Sequence, residues 1–275
     1  MEETKVEETQ MRIRKAYEEG DVEESRELHD IQAAEEKHAS QESGEIVKSF
    51  VFGGLDGIIT TFAIVAAVAG AGLSTNTVIL MGVANLVADG ISMGLGDYLS
   101  EKAERTFTTH EFKREQWELE NYPEGEVMEM IDIYVTEKQF TREDAEIVVK
   151  TVAKYPKAFV DLMCVDELGF IAPTDDDFPA WKKGTVTFFA FVFFGSVPVF
   201  VYVLAKIPKN EPAKNTLFAI AAIATAFTMF ALGATKASFT KQHKTHSGLM
   251  MLINGSLAAA ASYGIGFLLS TILNV

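Results

Sequence analysis

Cysteine is nearly absent from this chain of 275 residues: Cys164 stands alone. No intrachain disulfide can form, and cysteine usage does not mark a redox compartment. Basic residues are scarce too, with 24 Lys and Arg against 39 Asp and Glu and a formal net charge of −15. A surface that acidic repels nucleic acid and anionic headgroups and favours cations, so no nucleic-acid partner is expected. The first 48 residues contain no long apolar run, which argues against a cleavable signal peptide and leaves the first span to direct insertion.

Two compositions are averaged in the mean hydropathy of +0.12. Residues 1–48 hold 15 acids and 7 bases, and residues 101–180 hold 20 acids and 9 bases. The remainder holds only 4 acids and 8 bases, so the acidity lies in two polar segments and the apolar part is mildly positive. Five runs have the length and apolarity of membrane-spanning helices, at about 50–72, 77–99, 185–205, 214–235 and 248–272. The fold class expected is therefore an all-α integral membrane protein with five transmembrane helices. Its parts are an acidic N-terminal segment (1–48), spans one and two (49–100), a helical acidic insertion (101–183) and spans three to five (184–275).

The N-terminal segment reads as a disordered start and a polar helix over Glu23–Lys48 that runs into span one. The insertion reads as helices at Glu101–Glu120, Glu124–Thr136, Thr141–Lys154 and Ala158–Leu168, with Thr141 capping the third and Asp144 placed for a capping box. Trp181, Lys182 and Lys183 suit an interfacial anchor where the chain returns to the bilayer. Lysine is balanced between the short loops, so the positive-inside rule does not fix orientation. A long acidic N-terminus and an 80-residue helical insertion are more easily left in the cytosol than translocated, which places both there.

Span one, "GGLDGIITTFAIVAAVAG", carries a single charge, Asp56. A carboxylate in the hydrocarbon costs at least ~2.5–3.5 kcal/mol on insertion scales and is a functional candidate by default. In span two, Asn85, Asp89, Met93 and Asp97 recur at steps of four and share a helix face. Small residues at Gly82, Gly90, Gly94 and Gly96 let another helix approach. Carboxylate oxygens facing a thioether suit a divalent cation, the sulfur adding affinity for softer ions. In the insertion, Glu104, Glu111, Glu115 and Glu118 share a face, Glu126 and Glu129 lie three apart, and Met163 and Glu167 four apart. Spacing alone leaves these acids divided between an oxygen-rich cluster and a solvated charged face.

These residues resemble the vacuolar iron transporters over about residues 40–275. The resemblance rests on "GEIVKSFVFGGLDGIITTFAIVAAVAGA" and "GVANLVADGISMGLGDYLSEKAE", and on a glutamate-rich helical insertion ending in "LMCVDELG". It implies a homodimer of five-span protomers with a pathway between the subunits, lined by spans one and two. It further implies a cytosolic insertion that binds metal, and proton-coupled export of Fe²⁺ from the cytosol into an acidic vacuole or vesicle. The pathway residues implied are Asp56, Met93 and an entrance acid at Glu45. Ser49 stands where a second entrance acid is expected. The implied insertion ligands are Glu115, Glu118, Glu126, Glu129, Met163 and Glu167. No permanently bound cofactor is expected, the partners being Fe²⁺ (or Mn²⁺, Zn²⁺, Co²⁺), protons and the lipid bilayer. Two alternatives stand beside this: a manganese transporter of the same fold, and an intramembrane aspartyl protease built on "GLGD" (94–97) with Asp56 as the second acid.

Overall fold

The structure, a computed structural model, describes residues 36–172, 179–207, 212–240 and 242–273 with Arg12 and Gly20; of 36–45, 239 and 240 it describes the backbone only. These residues form eight helices: α1 (Glu36–Gly70), α2 (Thr75–Asn121), α3 (Pro123–Thr136), α4 (Arg142–Val152), α5 (Pro156–Asp166), α6 (Ala180–Leu204), α7 (Lys214–Thr240) and α8 (Lys244–Leu273). No strand occurs among the described residues. Five helices are long and apolar enough to cross a membrane: α1 over Ile46–Gly70, α2, α6, α7 and α8. The chain divides into two compact units, Met1–Lys48 and Ser49–Val275. Half of the N-terminal helix expected over Glu23–Lys48 lies outside the described residues, and the chain is helical from Glu36.

The bundle rests on close helix approach at small residues. A Cβ added at Gly57 would collide with the Phe191 backbone carbonyl, so α1 meets α6 backbone to backbone. At the next crossing a Cβ on Gly94 would stand 2.9 Å from the Gly184 carbonyl, so α2 and α6 meet the same way. Without a hydrophobic driving force in lipid, such contact is how membrane helices gain packing energy. Phe62, Val65, Val78, Leu86, Phe191, Val199 and Leu217 fill the space between the helices. Gly72 turns α1 into α2 at a positive φ of 71°, a conformation costly to residues with a Cβ. Pro198 lies inside α6 and is buried in the bundle, where neighbouring helices make a missing backbone donor tolerable.

Span two and the first insertion helix, expected as separate elements, are one helix of 47 residues. At 1.5 Å per residue α2 is about 70 Å long, far more than a ~30 Å hydrocarbon core requires. Nothing between Asp97 and Glu115 interrupts it: the stretch contains neither proline nor glycine.

Beyond the bilayer-sized part of α2, helices α3–α5 build a small core of their own. Its buried members are Met130, Ile131, Tyr134, Ala145, Val149, Phe159 and Met163. The i,i+4 steps Met130/Tyr134, Ala145/Val149 and Phe159/Met163 put one apolar stripe on each helix. Thr141 caps α4 as its sequence suggests: its Oγ1 accepts from the Asp144 N–H at 3.2 Å and donates to Asp144 Oδ2 at 2.7 Å. The other expected insertion helices are each present, with ends shifted by at most two residues. Residues 173–178 of the returning loop lie outside the described residues, and Trp181 is exposed at the start of α6.

Candidate functional site

Two groups of acids concern function, one along the membrane part of α2 and one at its far end. Along α2 the residues at steps of four split into faces. Gly82, Leu86, Gly90 and Gly94 are buried, and Gly82, Gly90 and Gly94 pack on α6. Asn85, Asp89, Met93 and Asp97 form the half-buried face beside them. Asp56, half-buried on α1, lies near enough to Asp89 for each carboxylate to feel the other's charge. Asn85 Nδ2 is buried without a hydrogen-bond partner.

Asp97 is held differently. Its Oδ2 accepts from Ser49 Oγ at 3.1 Å and from Thr187 Oγ1 at 2.5 Å, so one carboxylate ties α1, α2 and α6 together. Ser49, where a second entrance acid was expected, thus supplies a hydroxyl to an acid on the neighbouring helix. Glu101, one turn on, pairs with Lys183 of α6 at 2.5 Å. The side chain of Glu45 lies outside the described residues.

At the far end of α2, Glu115, Glu118 and Glu126 each offer a carboxylate oxygen within 4.8 Å of the others. Glu115 is fully buried and Glu126 is 8 % exposed. Burial of carboxylates needs compensation, and here it is incomplete: Oε2 of Glu115 and Oε2 of Glu167 are buried without partners. Burial, followed by repulsion from Glu115, Glu118 and Glu129, raises Glu126 to about 7. Burial and repulsion from Glu115, Glu129 and Glu126 likewise raise Glu167 to about 7. Burial also raises Glu115, against the pull of Arg114. Glu129 is exposed but lies near enough to act on all three. A pocket of oxygens that hold protons near neutrality, with lone pairs to spare, is chemically ready for a divalent cation.

Two residues expected nearby, Glu104 and Glu111, are placed otherwise. Glu104 is exposed on α2, about three turns before Glu115. Glu111 is engaged by Arg114 at 3.2 Å and by His110 at 3.4 Å. Met163 is fully buried in the apolar core of α3–α5, one turn before Glu167. The end of α5 is fastened through Asp166, which accepts from Tyr134 Oη at 2.9 Å and pairs with Lys138 at 2.7 Å.

Two residues of this neighbourhood were not expected from the sequence. Arg114 donates to Glu115 Oε1 at 2.7 Å; its place at i+3 from Glu111 and i−4 from Glu118 was a readable signal. Cys164 is buried close to Glu115 and Glu167, and burial raises its thiol to about 11. Without metal, that keeps the thiol protonated at neutral pH.

A five-span helical bundle, with a paired-acid face inside and a carboxylate cluster on a helical extension, has the architecture of a membrane transporter for metal ions. The sequence comparisons agree. The VIT family model matches residues 47–267, and the chain belongs to that family. A "Vacuolar iron transporter" of Plasmodium berghei (strain Anka) is 41% identical over 260 residues, 94% of this chain and 95% of that protein. A "Vacuolar iron transporter" of Toxoplasma gondii (strain ATCC 50861 / VEG) is 40% identical over 270 residues, 95% of this chain and 89% of that protein. "Vacuolar iron transporter 1" of Arabidopsis thaliana is 33% identical over 230 residues, 83% of this chain and 87% of that protein. These relatives are transporters, not enzymes, and the protease alternative falls. The residues that suggested it have other work: Gly94 seats α6, and Asp97 accepts two hydroxyls.

Proposed function

We propose that this protein is a proton-coupled transporter that moves Fe²⁺ from the cytosol into an acidic vacuole or vesicle. Family membership across the membrane-spanning part supports iron as the cargo and the vacuole as its destination. The single observation that carries the mechanism is Asp56 on α1 set against Asp89 on α2, with Met93 on the same face as Asp89.

Either protons or a divalent ion can neutralise such a pair. On a neutral side the ion displaces the protons, and on an acidic side protons displace the ion. Met93 adds a soft donor that favours Fe²⁺ over Mg²⁺ and Ca²⁺. The pathway completes between two subunits of a homodimer, and the acid cluster of α2, α3 and α5 faces the cytosol and gathers metal for it.

Ferrous uptake into proteoliposomes with an acidic lumen tests this. Gradient-dependent Fe²⁺ entry by the native chain, lost in Asp56→Ala and reduced in Met93→Ala, is the expected result. Entry of Mn²⁺ without Fe²⁺ would change the cargo, and Asp56→Asn transport with an unaltered pH dependence would overturn the exchange role of Asp56.

A further inference from the structure

The geometry points to Arg114 as a built-in counterion that a divalent metal must displace, which sets how much cytosolic metal the acid cluster requires before it loads. This rests on the metal-binding reading of the cluster. Arg114 contacts three carboxylates along its own helix: Glu115 at 2.7 Å, Glu111 at 3.2 Å and Glu118 at 3.8 Å. Two of these, Glu115 and Glu118, belong to the trio whose oxygens converge with Glu126. The guanidinium and a divalent ion therefore draw on the same carboxylates.

The sharing is visible within Glu115. Its Oε1 accepts from Arg114, while its Oε2 is buried with no partner. A divalent ion bound there would stand a few ångströms from a guanidinium that is always protonated, and the two cations repel. The two ends of this exchange differ in freedom. Glu115 is fully buried, whereas the Arg114 side chain is 43% exposed on a long flexible stem and already reaches Glu111. Arg114 can leave Glu115 for Glu111 and water without disturbing the core of α3–α5; Glu115 has no such exit. Before metal arrives, Arg114 offsets part of the repulsion among the acids. After metal arrives, that role passes to the ion.

A competing cation lowers metal affinity, whereas a guanidinium that merely orients Glu115 raises it, so removing Arg114 decides by sign. The measurement is Mn²⁺ binding to the full chain in detergent micelles, followed by the electron paramagnetic resonance of free Mn²⁺. Sites lost in Glu115→Gln/Glu118→Gln identify the cluster among all sites. Arg114→Gln is expected to bind Mn²⁺ roughly three- to tenfold more tightly at low salt, the scale of one partly exposed ion pair shared among several acids. Arg114→Lys is expected to stay near native, and added salt to narrow the gap. Equal or weaker binding by Arg114→Gln overturns the proposal and makes Arg114 a positioning residue. Identical titrations of the native chain and the double Gln variant would instead remove the metal site itself. Should Arg114→Gln fail to fold, ¹⁵Nε-arginine spectra of the native chain, with Arg114 assigned by its loss in Arg114→Lys, supply the answer. Zn²⁺ is expected to move that signal toward a solvated arginine, and an unmoved signal overturns displacement.

Discussion

The two acid groups solve the same electrostatic problem in opposite ways. In the membrane part of α2, Asp89 and Asp97 stand about two turns apart on one face, with Asp56 of α1 near Asp89, so charge is spread along a line. At the far end of α2, three helices fold acids into one knot, and Arg114 is bound into it. A line suits an ion that must move on, because no position collects enough ligands to hold it. A knot suits an ion that must be caught from dilute solution. Under the proposed function, throughput belongs to the first group and capture to the second.

Losing Asp56 should give the largest effect: Asp56→Ala is expected to lower Fe²⁺ uptake at least roughly tenfold at any iron concentration, the usual scale when an essential ion ligand is lost. Glu115→Gln/Glu118→Gln should keep the maximal rate while needing several-fold more Fe²⁺ to reach it. A double variant as inactive as Asp56→Ala would break the division between throughput and capture.

The next effect is of pH. Glu126 and Glu167, raised to about 7, hold protons that metal must displace. Metal affinity of the cluster is expected to climb between about pH 6 and 8, by up to roughly tenfold per pH unit for each proton released. Glu126→Gln should flatten that slope in a calorimetric titration. The same shifts give the sign for stability. Carboxyls whose folded values are raised favour the fold below the unfolded value of 4.5, and that contribution is lost as pH rises through about 7. Metal-free protein should therefore melt at lower temperature at pH 8 than at pH 5.5, and divalent metal should restore the difference.

Asp97 sharpens the comparison from the membrane side, since its hydroxyl partners mark it as a tie between helices. Asp97→Ala strands the Ser49 and Thr187 hydroxyls and should cost about 1–3 kcal/mol in thermal unfolding, whereas Asp97→Asn keeps an acceptor and should cost less. The smallest effect belongs to Met163. Met163→Leu conserves volume and should cost under about 1.5 kcal/mol, while the preference of the cluster for Fe²⁺ over Mg²⁺ narrows by a few-fold. An unchanged preference would assign Met163 to packing alone.

The spans were legible because apolar length is a one-dimensional signal, and both the Thr141 cap and the four-residue stripe of α2 follow from local periodicity. The continuity of α2 through Glu101 was not, because a change from apolar to charged composition looks like a boundary although the backbone has no reason to stop. Convergence was also hidden. Glu126 and Glu167 come to the knot through the packing of Met130, Phe159 and Met163, a tertiary contact that spacing does not encode. Glu104 shows the reverse error: it shares a periodic face with Glu111 and Glu115 but lies too far along the rod to join them.

The unbroken α2 has a consequence for phase. Each residue turns an α-helix by about 100°, so the azimuth of Glu115 relative to Asp97 is set by the count of residues between them. One alanine inserted after Leu99 would swing the acid knot about a quarter-turn around the axis without touching either group's chemistry. Seven would bring it nearly back into register, some 10 Å further out. The two groups are thus geared to each other through a shaft, and its length is a whole number that evolution can change only in steps.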